Sequence, residues 1–368
     1  MAFGLLLGGI AALGLGAQYV SGEDPGPSRT GAPLAAPRVQ PAVSGRPRAL
    51  PVEVRGVHVT LGLASLPGKL EEYLGLADDG LTALELDVKD ESGKIGFRPR
   101  GVPLATTVGA AGDWYEPSEA ARLARERGVY LIGRVVVFED PVLARGRPEL
   151  AVRRADGSVW RDAAGLGWTN PYDRRVWEYN VGIAAAAARA GFDEIMFDYV
   201  RFPSDGDVRA ARYANPRGLR KHEAVPAFLR FASARLAPLG VRVSAAVFGL
   251  SAVRDLGIGQ LPRRMAPHLD AVYGMTYPSL FGSGELGLAD PSATPGETVR
   301  RALARFRRAI RGSDALLLAW VQDFSFSRQY GLEQVRAQID AARHAGVKGF
   351  LLWNAEGVYT DGALEPAG

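Results

Sequence analysis

Residues 174–206 read RRVWEYNVGIAAAAARAGFDEIMFDYVRFPSDG, and they contain one whole repeat of the fold's grammar. Arg174 to Ala190 is a helical stretch, Gly191 is the residue that stops it, and Glu194 to Val200 is a run of strand formers. Glycine suits such a helix-to-strand turn because it enters the left-handed conformation without steric cost. The strand then runs into a polar loop, with the carboxylate of Asp198 at its end and the guanidinium of Arg201 three residues on.

The same grammar extends in both directions. Gly128, Gly240 and Gly346 also stand between a helical stretch and a β-rich run. Eight such runs follow one another at residues 54–60, 83–89, 130–138, 194–200, 242–248, 271–277, 315–321 and 349–354. Helical stretches lie between them at 68–77, 117–127, 174–190, 223–237, 297–310 and 332–345. Alternating strands and helices specify a parallel sheet, and eight units favour a closed barrel over an open doubly wound sheet. The expected fold class is α/β, a single (β/α)8 TIM barrel over residues 52–368, preceded by a hydrophobic segment and a linker.

Residues 3–20 are apolar and carry no charge, so residues 1–20 are expected to be a targeting segment rather than part of the fold. Its length falls between a signal-peptide core and a membrane span, so cleavage and anchoring both stay open, as does a buried N-terminal helix. Residues 21–51 carry prolines at 25, 27, 33, 37, 41, 47 and 51 among Gly, Ala, Ser and Arg, and are expected to be a disordered linker. The domain is therefore expected outside the cytoplasm, secreted or held at the membrane by residues 1–20.

The composition, 47% hydrophobic and 23% charged, suits one large domain. The net charge of +4 is spread along the chain, which argues for a solvated surface and against a nucleic-acid partner. With no cysteine, disulfides, thiolate metal sites and cysteine nucleophiles are excluded. The four histidines, at 58, 222, 268 and 344, show no metal-ligand spacing, so no metal and no cofactor is expected. Gly282 to Gly287 spells a dinucleotide fingerprint, but a loop follows it instead of a helix; no Gly-x-Ser-x-Gly elbow follows a strand.

In a parallel barrel the reactive groups gather at the carboxyl ends of the strands. Glu85, Asp87 and Lys89 share one face of the second strand by period two, leaving Leu84, Leu86 and Val88 for the helices. Charges pointing into a barrel are costly unless they pair or react. Asp198 ends the fourth strand; Trp320, Gln322 and Asp323 end the seventh; Trp353, Asn354 and Glu356 end the eighth; His58 lies on the first. The third strand carries Arg134 and closes on Glu139 and Asp140. Carboxylates among aromatic faces, including Tyr273, Tyr277, Trp320 and Trp353, suit sugar rings, although any single aromatic is more often core. Glycosidic cleavage needs two carboxyl groups flanking the bond. Asp198 is the first candidate, paired with Arg201 or Arg134, and Asp323 or Asp87 is the second. Lys89, Arg134, Arg201, Tyr273, Tyr277, Trp320, Gln322, Trp353 and Asn354 are the candidates for binding substrate.

Segments carrying these residues resemble the glycosyl hydrolase domain family of bacterial proteins related to α-amylase-like barrels. They include RGVHVT (55–60), ELDVKD (85–90), FEDP (138–141), WTNPY (168–172), GFDEIMFDYVRFPSDG (191–206), MTYPS (275–279), WVQDF (320–324) and LWNA (352–355) with Tyr359. The resemblance runs from about Arg55 to Leu364 and implies a TIM barrel that hydrolyses O-glycosyl bonds. It places Asp87, Lys89, Asp198, Arg201 and Asp323 inside matched segments, ahead of Glu356. Glu139 stands where the family has a lysine, and Leu280 where it has a histidine. Two readings follow: a hydrolase of a cell-envelope or extracellular polysaccharide, and a non-catalytic glycan-binding barrel tethered to the envelope.

Overall fold

The computed structural model describes residues 46–367, so the expected targeting segment and most of the expected linker lie outside the described residues. Eight parallel strands close into a barrel in sequence order. They are β1 (Val54–Val59), β2 (Ala83–Lys89), β3 (Tyr130–Val136), β4 (Glu194–Asp198), β5 (Arg242–Phe248), β6 (Ala271–Met275), β7 (Leu316–Gln322) and β8 (Gly349–Trp353). The crossovers carry α1 (Lys69–Gly75), α2 (Pro117–Glu126), α3 (Arg174–Ala190), α4 (Lys221–Leu236), α5 (Pro262–Met265), α6 (Pro295–Ala309) and α7 (Leu332–His344). The four turn glycines read from sequence, Gly128, Gly191, Gly240 and Gly346, all have positive φ, between 64° and 111°. The single turn of α5 was not legible in the sequence, where Gly257, Gly259 and Pro262 leave room for little more.

Three strands end two residues before the sequence pattern does, at Val136, Asp198 and Met275. After β4 the cause is local: Tyr199 turns the chain with φ 46°, a left-handed conformation that costs a non-glycine residue about 1–3 kcal/mol. The chain then rises over the barrel mouth. There the loop after β3 and the loop after β4 interlock, as Arg153 and Arg212 exchange main-chain hydrogen bonds of 3.1 and 2.7 Å.

Period-two alternation sorts the strand residues into two layers. Leu84, Leu86, Leu131, Ile195 and Phe197 pack under the helices, while Ile132, Met196, Tyr273, Leu318 and Leu351 fill the lumen. The outer layer is anchored by Phe228 of α4, whose ring lies 5.2 Å from Phe197, 5.4 Å from Phe138 and 6.0 Å from Trp177. At the floor, Leu50 packs against the lumen cluster. Arg48 donates to Asp193 at 3.0 Å and to the carbonyls of Val129 and Gly128. The last residues of the stretch expected as linker are thus in contact with the barrel.

Because Phe228 joins β4, α3 and the loop after β3, Phe228→Ala is expected to lower the unfolding free energy by about 3–5 kcal/mol, measured by urea denaturation.

Candidate active site

Adjacent register brings the ends of three strands together. Asp87 on β2 is the neighbour of Arg134 on β3, and Val136 of β3 is the neighbour of Asp198 on β4. Glu85, Asp87, Arg134 and Asp198 belong to the lumen-facing phase of their strands, and all four are buried. Lys89 does not follow. The pairing of β2 with β3 slips by one residue between Asp87 and Lys89, so that Lys89 sits opposite Val135, a residue of the outer layer. Its ammonium is buried beneath α3, 2.8 Å from Asp140, 3.1 Å from Asn180 Oδ1 and 2.7 Å from the Val136 carbonyl. The expectation that Lys89 enters the lumen and binds substrate is therefore corrected: the bulge inverts its face.

Arg134 is the centre of the site. Its NH1 donates to Asp87 Oδ1 at 2.7 Å and to Glu91 at 3.3 Å, while its Nε and NH2 donate to Asp198 Oδ2 at 3.0 and 2.9 Å. The other oxygen of Asp198 accepts the main-chain N–H of Tyr199 at 2.7 Å, which gives the left-handed turn a polar purpose. Below Asp87 lies His58. Its Nδ1 is hydrogen-bonded to Glu85, and its Nε2 lies 3.7 Å from Asp87 Oδ2. The imidazole rests against Trp353, with ring centroids 4.6 Å apart.

Burial sets the protonation of this column. Desolvation pushes the Asp87 carboxyl up to about 7, against the pull of Arg134 and His58. It pushes Glu85 well above the usual carboxylate range and brings His58 down to about 4. The two groups share a hydrogen bond through Nδ1, which leaves Nε2 facing Asp87. Glu91 goes the other way: although desolvation acts against its charge, Arg134 holds its carboxyl below the usual range. Asp90 is raised to about 6 by burial and by the neighbouring Glu91.

These groups open into a cavity of about 350 Å³ at the barrel mouth. Asp87, Asp90, Glu91 and Asp198 line it with Arg134 and Arg201, and its aromatic walls are Trp114, Tyr199, Phe248, Tyr277, Trp320 and Trp353. The indole N–H of Trp320 is buried without a partner among the described residues. Arg201 does not pair with Asp198. Its guanidinium is held between the rings of Trp168, Tyr199 and Phe248 at 4.6–4.9 Å, and it donates to Ser204 Oγ at 3.1 Å.

Of the residues singled out in sequence, the structure brings Asp87, Asp198, Arg134, Arg201, Tyr277, Trp320 and Trp353 into the cavity lining. Asp323 is placed elsewhere: its two carboxylate oxygens accept the N–H and hydroxyl of Thr360 at 2.9 and 2.5 Å, which ties down the chain after β8. Gln322 accepts from Ser279 N and donates to the Phe324 carbonyl, and Asn354 donates to the Asp323 carbonyl; both brace loops. Tyr273 is buried deeper in the lumen. Asp140 caps a short helix and pairs with Lys89, Glu139 is buried with its carboxyl pushed well above the usual range by desolvation, and Glu356 is exposed. Sequence reasoning passed over Asp90, Glu91 and the Glu85–His58 pair as site residues. Glu85 carried a signal, since its phase on β2 matches that of Asp87; Asp90 and Glu91 lie beyond the strand, where alternation gives no direction.

His58, Glu85 and Asp87 also form a trio with metal-ligand atoms within 4.8 Å of one another. Each imidazole nitrogen already faces a carboxyl group, and the Arg134 cation binds Asp87 from the other side. With its nitrogens and carboxylates so engaged, the trio does not fit a cation.

A family model described as "Putative glycosyl hydrolase domain" matches residues 56–359. No curated protein matches the sequence. A hypothetical protein from Ruminiclostridium thermocellum ATCC 27405 is similar at 35% identity, over 51% of this chain and 96% of that one, with a TM-score of 0.47. The PgaB (BpsB) glycoside hydrolase domain from Bordetella bronchiseptica is similar at 17% identity, over 83% and 94%, with a TM-score of 0.59. The catalytic domain of β-amylase from Paenibacillus polymyxa is similar at 12% identity, over 87% and 96%, with a TM-score of 0.53. The last two share the fold.

The placement of Lys89 generates a prediction. Lys89→Met strands the Asp140 carboxylate in a dry interior, so it is expected to lower stability by about 3–5 kcal/mol in chemical denaturation. A residue that met substrate would instead change ligand affinity with stability unchanged.

Proposed function

We propose, because the chain belongs to this glycosyl hydrolase domain family, that it hydrolyses glycosidic bonds of a cell-envelope or extracellular polysaccharide, with Asp87 and Asp198 as its two catalytic carboxyl groups. The observation that carries the reading is the sharing of Arg134: one guanidinium grips both carboxyl groups, at 2.7 Å and 2.9 Å, inside a cavity walled by tryptophans. A shared guanidinium brings the two carboxyl groups together at one mouth, as an acid and its partner nucleophile or base must be to flank one bond.

The roles divide by environment. Asp87, with a carboxyl near 7, is the general acid: it protonates the glycosidic oxygen as the bond to the anomeric carbon breaks. Asp198 is the nucleophile or the base that activates water. His58 and Glu85 do not touch substrate; they position Asp87, which Nε2 of His58 faces. Trp320 and Trp353 offer ring faces for a sugar, and the unpartnered Trp320 N–H a donor for a hydroxyl. The export signal expected at residues 1–20 would bring this chemistry to an envelope or extracellular glycan.

The second reading, a non-catalytic glycan-binding barrel, draws on the same arginine, which also holds Glu91 and so occupies part of the carboxylate charge. Product analysis against a polysaccharide panel separates the two, since a binding module retains glycans and releases no reducing ends.

On the catalytic reading, Asp87→Asn is expected to lower kcat by about 10²–10⁴-fold, the usual contribution of a general acid. Asp198→Asn is expected to cost several orders of magnitude with the thermal transition preserved. Activity of Asp198→Asn within a few-fold of wild type would remove it from the mechanism.

The pH profile gives a separate check. An acid near pKa 7 carries its proton below that pH and loses it above, so kcat/KM is expected to fall as pH rises through about 7. In Asp87→Asn that limb is expected to vanish.

A further inference from the structure

A second cavity, of about 450 Å³, opens beside the first on the same face of the barrel. The loops after β4, β5 and β6 frame it, and Phe248 and Leu280 line both cavities. The two spaces are thus neighbours along one cleft, divided by a phenylalanine whose ring also holds the Arg201 guanidinium.

Their linings differ in charge. The first presents four carboxyl groups with the guanidinium groups of Arg134 and Arg201. The second has Leu250, Leu256, Ile258 and Phe281 in its wall, with Lys221, Arg254 and Asp255 beside them. Among the described residues Lys221 forms no salt bridge, and its recorded hydrogen bond goes to the Gly257 carbonyl at 3.1 Å. An ammonium has three N–H donors, so donors are left over. Burial pulls its pKa down, as expected of a cation held in an apolar wall.

We propose that this second cavity is a binding subsite for the sugar unit next to the one being cleaved, and that it takes a sugar carrying a short acyl group. The proposal rests on the glycan-cleaving reading of the first cavity. A bare sugar ring, with hydroxyls around its edge, gains little from a wall of leucine and isoleucine, whereas an acyl methyl buries there. The acyl oxygen needs a donor, and Lys221 supplies one. The first cavity holds donors too, in Arg134, Arg201 and the Trp320 N–H, but they stand among four carboxyl groups, whereas Lys221 stands beside the aliphatic wall, so the substituent is directed across Phe248 into the second.

The test uses the full chain and reads saturation-transfer NMR on three sugars that have no glycosidic bond to cleave: glucose, N-acetylglucosamine and 6-O-acetylglucose. Both acetylated sugars are expected to bind at least about tenfold more tightly than glucose, in the range that a buried methyl group brings, with the acetyl methyl the most saturated group. Leu256→Asp and Lys221→Met, checked for folding by near-UV circular dichroism, are expected to remove that preference, and Lys221→Arg to retain most of it. Preference for only one of the two acetylated sugars identifies the linkage of the acyl group and supports the subsite. Equal binding of glucose and both acetylated sugars, or a preference that survives Leu256→Asp and Lys221→Met, overturns it. Binding is scored apart from hydrolysis. A chain that shows the preference yet cleaves no polysaccharide overturns the catalytic reading alone, and one that cleaves a polysaccharide without the preference overturns the subsite alone.

Discussion

The guanidinium of Arg134 is the contact on which the site depends. Removing a cation from water costs several kcal/mol unless its donors are satisfied, and here Asp87, Asp198 and Glu91 satisfy them. The dependence runs both ways, because three carboxyl groups crowded at one barrel mouth would repel one another without the shared cation. Arg134 therefore fixes the ends of β2, β3 and β4 relative to one another and brings two acids from alternate strands to opposite sides of a single group.

Much of this was legible in sequence, and the reasons are physical. Strand runs with glycine stops recur through residues 54–354, and parallel strands with single-helix crossovers leave few topologies open. Alternation puts Glu85 and Asp87 on one face of β2, and position at the strand end marks Asp198. Alternation fails where the backbone departs from period two. Lys89 was misplaced because a bulge has no signature in side-chain chemistry, and β2 ends in the same charged pattern whether or not the ladder slips. Asp323, Gln322 and Asn354 lie outside the cavity lining for another reason. A polar residue at a strand end can face the cavity or a returning loop, and the choice depends on Thr360, Ser279 and Phe324, distant in sequence or in direction of turn. Arg201 shows the same limit, since its partners come from three separate loops and strands.

The cleft also separates two kinds of environment within a few residues. On one side of Phe248, burial raises carboxyl groups, Asp87 to about 7 and Glu85 well above the usual carboxylate range. On the other, burial acts on an ammonium and on aliphatic side chains. The same burial raises a carboxyl group in one chamber and lowers an ammonium in the next.

The slip between Asp87 and Lys89 carries a consequence for the sign of the whole lumen. Had the ladder kept its phase, an ammonium would stand next to Asp87 and the mouth would hold a third cation beside Arg134 and Arg201. Asp87 would then give up its proton at a much lower pH and be useless as a donor near neutrality. A single extra residue of backbone exports that charge to the far side of the sheet, where Asp140 absorbs it. In engineering terms, the length of β2 is an electrostatic setting: deleting one residue there would return the Lys89 ammonium to the face that Asp87 occupies.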